Sequence, residues 1–251
     1  MTEAVRAENI VKTFGNVTAL NGVSMRVERG ETLGILGDNG AGKSTLIKIL
    51  TGYHQPDSGQ VYVDGNPVRL GSVDEARALG IECVYQDLAL VNGLSIYHNM
   101  FLNRELLWAG PLKLLDHREM RRRASAALDE IGVAVPSVEL EVGQLSGGQR
   151  QAIAVARAVS SNARILLLDE PLAAMGAREA RLIIDLIDRL KARGDIAIVM
   201  IAHNYAQTLE ICDRVMLIQH GEVTFESHAA TTSAEELLDI VRREYRAVRN
   251  G

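Results

Sequence analysis

The feature that most restricts this chain is a glycine-rich octapeptide between an apolar segment and a helical pattern. Gly37-Asp38-Asn39-Gly40-Ala41-Gly42-Lys43-Ser44 fits G-x-x-x-x-G-K-[ST] and follows the apolar run Thr32–Leu36. Glycines let successive backbone N–H groups turn inward around an anion, because no Cβ obstructs the approach. The helix predicted from Lys43 to about Leu50 points its positive end at the same place. We therefore predict a phosphate-binding loop rather than an ordinary strand-to-helix turn that contains glycines.

Each part of this loop has a predicted role toward a bound nucleotide. Lys43 supplies a point charge for the β- and γ-phosphates, and the Ser44 hydroxyl can ligate Mg²⁺. The other predicted nucleotide contacts are Gly37, Asp38, Asn39, Gly40, Ala41, Gly42 and Thr45.

Two carboxylates follow a second apolar segment. Ile165–Leu168 is predicted as a buried strand, and Asp169 and Glu170 come directly after it. Ligands bind at the carboxyl ends of the strands in open parallel sheets. We expect Asp169 to hold Mg²⁺ and Glu170 to polarise the attacking water as general base. Alone, the pair could equally form a simple helix N-cap.

The wider pattern defines the fold class. Short alternating runs over Val5–Glu28 indicate antiparallel strands, and strands that alternate with helices elsewhere indicate a covered parallel sheet. From Gln86 to about Ser160 the pattern is helical, with loops near Asn92-Gly93 and Gly110-Pro111. We predict an α/β fold, a P-loop NTPase parallel-sheet core with an N-terminal antiparallel β subdomain and an inserted α-helical subdomain. The predicted boundaries are one domain over 1–251, divided into core 1–86 and 161–251 and helical subdomain 87–160.

A second anion site is predicted at Leu145-Ser146-Gly147-Gly148-Gln149. This segment precedes a helical run, so it offers a hydroxyl, bare backbone amides and a helix N-terminus. Taken alone, it could also be a flexible linker that ends in an N-cap. One nucleotide needs only one phosphate loop. Two anion sites in one chain therefore suggest that each nucleotide is shared between two chains.

With these residues in place, the chain resembles the ATPase subunits of the ABC transporter family along nearly its whole length. The resemblance implies ATP and Mg²⁺ as ligands and makes Ser146, Gly147, Gly148 and Gln149 the signature that acts in trans. It matches Phe14 to the aromatic that stacks on adenine. It matches Gln86 to the glutamine that senses Mg²⁺ and couples to the membrane subunit, and His203 to the switch histidine. Glu170, His203 and Gln86 are thus the catalytic candidates, and Ser44, Gln86 and Asp169 the metal ligands.

Within that family, the chain looks like the sugar-import branch. Leu145–Ala158, His203-Asn204 and Gln86–Leu94 carry this likeness, and Gly176 stands where many members have an aspartate. The branch implies import of a monosaccharide of ribose, xylose or fructose type. Many of its members have two cassettes in one chain, whereas this sequence shows one. Two copies, or one copy and a partner cassette, are therefore expected to meet.

The net charge of the chain restricts the kinds of partner that it can bind. The formal net charge is −5, so the chain lacks the basic character expected of a nucleic-acid-binding protein. The apolar runs are shorter than the roughly 20 residues that span a bilayer. We expect integral membrane permease subunits, a second ATPase subunit and, indirectly, an extracytoplasmic solute-binding protein as partners, with the chain peripheral on the cytoplasmic face of the inner membrane. The alternatives are a soluble ABC ATPase acting on nucleic acid or ribosomes, a small-molecule phosphotransferase and a nucleotide-binding scaffold.

Overall fold

An antiparallel sheet is built from the N-terminal part of the chain. The computed structural model describes residues 2–109 and 113–249. The strands of this sheet are β1 (Glu3–Phe14), β2 (Val17–Glu28), β4 (Ser58–Val63) and β5 (Asn66–Val68). They lie in the order β2-β1-β4-β5. This confirms the predicted antiparallel β part, and the long hairpin of β1 and β2 forms because apolar and polar residues alternate along both strands.

A second sheet contains the parallel strands. Its members are β3 (Thr32–Leu36), β6 (Ile81–Val84), β7 (Ile165–Asp169), β8 (Ala197–Ile201), β9 (Arg214–Gln219) and β10 (Glu222–His228). They lie in the order β10-β9-β3-β8-β7-β6, and every neighbouring pair is parallel except β9 with β10. The edge strand β10 is absent from the sequence prediction. It carries no fully buried side chain, so its apolar pattern is weak.

The parallel sheet is covered on both faces, as predicted. Along β7, Ile165 and Leu167 pack into the core on the side of the antiparallel sheet, whereas Leu166 and Leu168 pack into the core on the other side. Successive side chains of a strand point to opposite faces, so two separate cores use one continuous apolar run. This explains why the central strands read as uninterrupted hydrophobic segments.

Helices fill the connections. They are α1 (Lys43–Leu50), α2 (Val73–Ala78), α3 (Ile96–Met100), α4 (His117–Glu130), α5 (Gly147–Ser160), α6 (Ala177–Arg193), α7 (Tyr205–Ile211) and α8 (Ala234–Arg249). The helical prediction for residues 86–160 is only partly right. The predicted loop near Asn92-Gly93 is confirmed but extends from the end of β6 to α3, and the described chain between α3 and α4 is also non-helical. The predicted loop at Gly110-Pro111 lies outside the described residues. Within the described ranges, no helix combines the length and apolar character needed to cross a bilayer.

Strand register brings the predicted site residues to one edge. Ile35 of β3 and Asp169 of β7 both pair with Ile201 of β8. The chain therefore leaves all three strands at the same level, with the glycine-rich loop after β3, the two carboxylates at the end of β7 and His203 just after β8. Elements distant in sequence are placed side by side because their strands are parallel neighbours.

Candidate active site

The glycine-rich loop has the conformation that its glycines predict. Gly37 has φ 143° and Gly42 has φ 108°. A Cβ on Gly37 would lie 2.1 Å from the carbonyl oxygen of Ile218, and one on Gly42 would lie 2.4 Å from that of Ala19. Neither position accepts a side chain, because both the backbone angle and the space exclude one. Asp38, Asn39 and Gly40 between them are exposed, so the loop presents its backbone outward before α1 begins.

Lys43 is buried at the start of α1, with its amine turned back onto the loop. The Nζ atom donates hydrogen bonds to the carbonyl oxygens of Gly37 at 2.6 Å and Asp38 at 2.8 Å. Burial lowers the pKa of Lys43, and the carboxylates of Glu170, Asp38 and Asp169 oppose that shift. A desolvated cation surrounded by carbonyls and carboxylates is suited to attract the added negative charge of a phosphate chain. Ser44 is exposed and Thr45 half-buried in the same first turn.

The carboxylates and the histidine form one group. Glu170 Oε1 lies 2.6 Å from His203 Nε2. Burial raises the pKa of Asp169, the neighbouring Glu170 charge raises it further, and Lys43 lowers it. Glu170 has φ 53°, an unfavourable angle for a residue other than glycine, and its N–H donates to the Ile201 carbonyl at 3.1 Å. Strained backbone of this kind persists where surrounding structure holds a side chain in position.

Gln86 lies beside this group at the same sheet edge. Strand β6 pairs with β7 in parallel, with Val84 opposite Leu168. Gln86 lies two residues after Val84, and Glu170 lies two residues after Leu168. Both residues are therefore at the carboxyl edge of the sheet, on neighbouring strands. The side chain of Gln86 is exposed. The structure thus brings Gln86, Asp169, Glu170, His203 and the glycine-rich loop to one edge of the sheet.

Phe14 ends β1 and is 44% exposed. Its ring centroid is 5.2 Å from that of His54, which follows α1. Asp57 fixes the residues just before it: the Lys12 amine donates to Asp57 Oδ1 at 2.8 Å, and the Thr13 N–H and hydroxyl donate to Oδ2 at 2.6 and 2.7 Å. The aromatic ring is therefore both accessible and anchored. Asp57 was not among the predicted site residues, because only the folded chain brings it to Thr13.

The signature segment forms a capped helix start. Ser146 is the N-cap of α5; its hydroxyl accepts from the Gln149 N–H at 3.3 Å, and Gln149 Oε1 accepts from the Ser146 N–H at 3.1 Å. The expectation of bare backbone amides is wrong. The Gly148 N–H donates to Glu179 Oε1 at 3.4 Å, so a carboxylate from α6 already lies at this helix N-terminus. Sequence reasoning missed Glu179, whose only local signal is an acidic residue in the first turn of α6.

Comparison with known proteins settles the family. The sequence profile described as ABC transporter matches residues 20–173. The chain belongs to the ABC transporter family. The predicted resemblance is thereby confirmed, and this cassette is an ABC-type ATPase with the P-loop NTPase fold.

Several curated relatives are similar over most of the cassette. The xylose/arabinose import ATP-binding protein of Sulfolobus acidocaldarius is 42% identical, covering 96% of this chain and 94% of that protein. The fructose import ATP-binding protein of Rhizobium meliloti is 42% identical, covering 86% and 84%. A ribose import ATP-binding protein of Burkholderia thailandensis is 38% identical over 92% of this chain but only 45% of that protein, which is thus about twice as long.

Solved structures are also similar. The crystal structure of the ADP conformation of MJ1267, an ATP-binding cassette of an ABC transporter, has a TM-score of 0.82 and 28% identity, covering 95% of this chain and 94% of that one. A dimeric post-hydrolysis state of the cassette MJ0796, bound to ADP and phosphate, has a TM-score of 0.73 and 26% identity over 90% and 98% of the two chains. The ABC cassette fold is therefore shared along nearly the entire chain.

Proposed function

We propose that this ABC ATPase powers the import of a small sugar, of ribose, xylose or fructose type, through a separate membrane permease. The observation that carries the proposal is the 42% identity to a xylose/arabinose import ATP-binding protein over 94% of that protein's length. Fructose and ribose import proteins among the relatives agree with the same class. These similarities favour transport over the alternative of a soluble ABC ATPase that acts on nucleic acid or ribosomes.

The proposed chemistry uses Lys43, Glu170 and His203. The backbone amides of Gly37–Ser44 and the Lys43 amine bind the β- and γ-phosphates. Glu170 orients a water and accepts its proton as the water oxygen attacks the γ-phosphorus, and the bond from that phosphorus to the β–γ bridging oxygen breaks to leave ADP. His203 donates to the γ-phosphate. The 2.6 Å contact between His203 and Glu170 supports a shared task for the two side chains.

The donor set also fits Mg²⁺. Ser44 offers a hydroxyl, Gln86 an amide oxygen and Asp169 a carboxylate, and hard oxygen ligands of this kind are what Mg²⁺ takes beside substrate phosphates. Burial and then the neighbouring Glu170 charge raise the pKa of Asp169, and the Lys43 charge opposes that shift. A divalent cation bound there would neutralise charge on the β- and γ-phosphates.

Two cassettes are proposed to close on each nucleotide. Gly37–Ser44 and Thr45 of one subunit hold the phosphates, Phe14 stacks on the adenine, and the partner subunit's Ser146, Gly147, Gly148 and Gln149 contact the γ-phosphate. The dimeric structure of MJ0796 supports this arrangement by similarity. A second copy of this chain is the proposed partner cassette.

Residues 87–160 are proposed to act as a subdomain between core 1–86 and 161–251 and the permease. Gln86 leads from the core into it, so a change at the γ-phosphate would move the subdomain as the dimer closes. The chain would then lie on the cytoplasmic face of the inner membrane, held by the permease. An extracytoplasmic solute-binding protein would deliver the sugar to the other side.

A Glu170→Gln variant tests the catalytic proposal. It keeps the size of the side chain and one accepting oxygen but removes the base. We expect ATP turnover of the purified chain with Mg²⁺ to fall at least about 100-fold, since general base catalysis contributes about that much or more. ATP should then trap the variant as a dimer in size-exclusion chromatography. Asp185→Asn, on an exposed face of α6, is the matched control. Normal turnover by Glu170→Gln would refute the assignment.

An uptake assay tests the sugar. Cells that lack this chain should lose uptake of one radiolabelled sugar among xylose, ribose and fructose, and wild-type chain should restore it whereas Glu170→Gln should not. Detergent extracts should also contain the chain bound to an integral membrane protein. Unchanged uptake of all three sugars, with the chain recovered free of membrane protein, would contradict the transport proposal.

A further inference from the structure

The signature helix already carries an anion supplied by its own chain. Glu179 lies in the first turn of α6, and its Oε1 accepts from the Gly148 N–H at 3.4 Å. A Cβ built on Gly147 would lie 3.7 and 3.8 Å from the two Glu179 carboxylate oxygens. Both oxygens therefore lie close to the backbone of the two signature glycines.

Several donors stabilise this carboxylate. The pKa of Glu179 is lowered, first by the Gly148 N–H and next by the Ser146 hydroxyl, with further contributions from the Gly176 and Gly147 amides. Gly176 is the N-cap of α6 and supplies no side-chain cap, whereas Ser146 is the N-cap of α5. One carboxylate thus lies between the positive ends of two helices.

The groups that hold Glu179 are the groups proposed to receive the γ-phosphate. Ser146, Gly147 and Gly148 cannot donate fully to two anions at once, because each N–H and the hydroxyl carries a single hydrogen. We propose that Glu179 is the resident anion of the signature site: it orients these donors in the open cassette and leaves them when the partner subunit's nucleotide arrives. This inference rests on the proposed shared nucleotide.

The Glu179 carboxylate can leave the signature donors while the Glu179 backbone stays packed against α5. A Cβ on Gly148 would lie 2.9 Å from Glu179 Cβ and 3.2 Å from its Cα, so α5 and α6 are already in close contact here. The Glu179 side chain is only half-buried, and its χ angles can turn the carboxylate toward solvent. Exchange therefore needs a side-chain rotation and no separation of the helices.

The exchange makes closure harder and opening easier. A carboxylate that remains near the site repels the incoming triphosphate, and after hydrolysis it competes for the donors again. A glutamine at this position would keep an oxygen that accepts from the Gly148 N–H but would lose the charge. The Glu179→Gln variant therefore retains the role of orienting the signature donors and removes the competition with the γ-phosphate.

ATP-driven dimerisation of the purified full chain tests the inference. In a Glu170→Gln background, which prevents turnover, Glu179→Gln is added, and the dimer fraction is measured by sedimentation velocity against ATP concentration with Mg²⁺. We expect half-maximal dimer formation at about tenfold lower ATP, on the scale of one like-charge repulsion at a partly exposed site. Asp185→Asn in the same background removes an equal charge from the same helix and should leave the midpoint unchanged. Glu179→Asp retains the charge and should stay near the parent chain.

The outcomes are separable. An unchanged or higher ATP midpoint for Glu179→Gln, with a parent chain that dimerises, overturns the resident-anion role alone. A parent chain that binds ATP but never dimerises overturns the shared nucleotide and this inference together. If Glu179→Gln fails to fold, the comparison of Glu179→Asn with Glu179→Asp decides, because the two side chains have the same length and differ in one charge: a lower ATP midpoint for Glu179→Asn supports the role, and equal midpoints refute it.

Discussion

Gly147 and Gly148 are adjacent in the signature but have different surroundings. At Gly147 a Cβ would be no closer than 3.7 Å to the nearest atom, which is ordinary contact. At Gly148 it would meet the Cβ and Cα of Glu179 at 2.9 and 3.2 Å. Neither glycine has a positive φ. Only Gly148 is therefore required by packing, and Gly147 is free of that constraint.

This contrast gives a stability prediction at the residue scale. Gly148→Ala should lower the free energy of unfolding by about 1–3 kcal/mol, because α6 must shift to admit the methyl group. Gly147→Ala should be neutral or stabilise by up to about 1 kcal/mol, since alanine is the better helix former. Urea unfolding followed by circular dichroism measures both. Equal stability of the two variants would show that the close contact at Gly148 relaxes without cost.

The predictability of each site residue depends on how local its signal is. The glycine-rich loop, Asp169 and Glu170 could be predicted because the motif and the flanking strands are contiguous in sequence. Glu179 and Asp57 could not, since their partners are 31 and 44 residues away in the chain. An isolated acidic residue gives no indication of which distant helix end or backbone N–H it will meet.

At the scale of elements, α5 connects two parts of the proposed mechanism. Its first turn carries the signature, and near its end Arg157 donates to the carbonyl oxygens of Leu88 and Ala89, both at 2.9 Å. These carbonyls belong to the loop that follows Gln86. Burial lowers the pKa of Arg157, and the two loop carbonyls accept hydrogen bonds from the buried guanidinium. A single rigid helix thus contacts both segments.

Arg157→Lys should loosen that loop. A lysine has the charge but not the planar fork, so it cannot donate to two carbonyls in the same geometry. We expect a loss of about 1–2 kcal/mol in the free energy of unfolding and faster hydrogen exchange at the amides of residues 87–91. Arg150→Lys is the control, because within the described residues Arg150 donates one hydrogen bond, to the Leu145 carbonyl of its own segment. Equal exchange rates in the two variants would show that the hydrogen bonds of Arg157 do not hold this loop in place.

The elements themselves were predictable to different degrees. The bounds of α7 and β9 can be predicted from the sequence, because Asn204 caps the helix and Asp213 separates it from the apolar run of β9. The loop predicted near Asn92-Gly93 is longer in the structure, where it reaches from the end of β6 to the start of α3. In the structure this loop is shaped by the buried side chain of Asn99, which accepts from the Val91 N–H at 2.8 Å and donates to the Leu94 and Ser95 carbonyls at 3.1 Å. Hydrophobic periodicity cannot detect such polar anchoring.

On the scale of the whole molecule, the antiparallel sheet must stay attached to the phosphate loop. Gly42 of the phosphate loop lies against the Ala19 carbonyl of β2. Val17, two residues before Ala19 in the same strand, pairs with Phe14 of β1. Asp57 joins the end of β1 to the segment between α1 and β4 through Lys12 and Thr13. The Phe14 ring, which is proposed to stack on adenine, and the phosphate site are therefore held together by strand contacts and one carboxylate.

Acid should weaken this attachment in a defined pH range. The hydrogen bonds from Lys12 and from the Thr13 hydroxyl and amide lower the pKa of Asp57 to about 2. Its folded-state pKa is depressed, so it contributes stability above the unfolded value near 3.8 that is lost as the pH falls toward 2. Hydrogen bonds from Arg122 and Arg123 lower the pKa of Glu119 to about 2 in the same way. Protonation of both Asp57 and Glu119 therefore destabilises the wild-type protein over this pH range.

Asp57→Asn isolates one part of that loss. At pH 7 the variant should have a lower Tm than wild type, because the amide lacks the charge and presents an NH₂ group among donors. Between pH 4 and pH 2 the gap in Tm should close, since protonation removes the same charge from wild-type Asp57. Thermal unfolding at pH 7, 4, 3 and 2.5 measures this, with Asp185→Asn as an exposed control that should differ little from wild type at any of these values. A gap that persists unchanged at pH 2.5 would mean that Asp57 stabilises the fold by shape and not by charge.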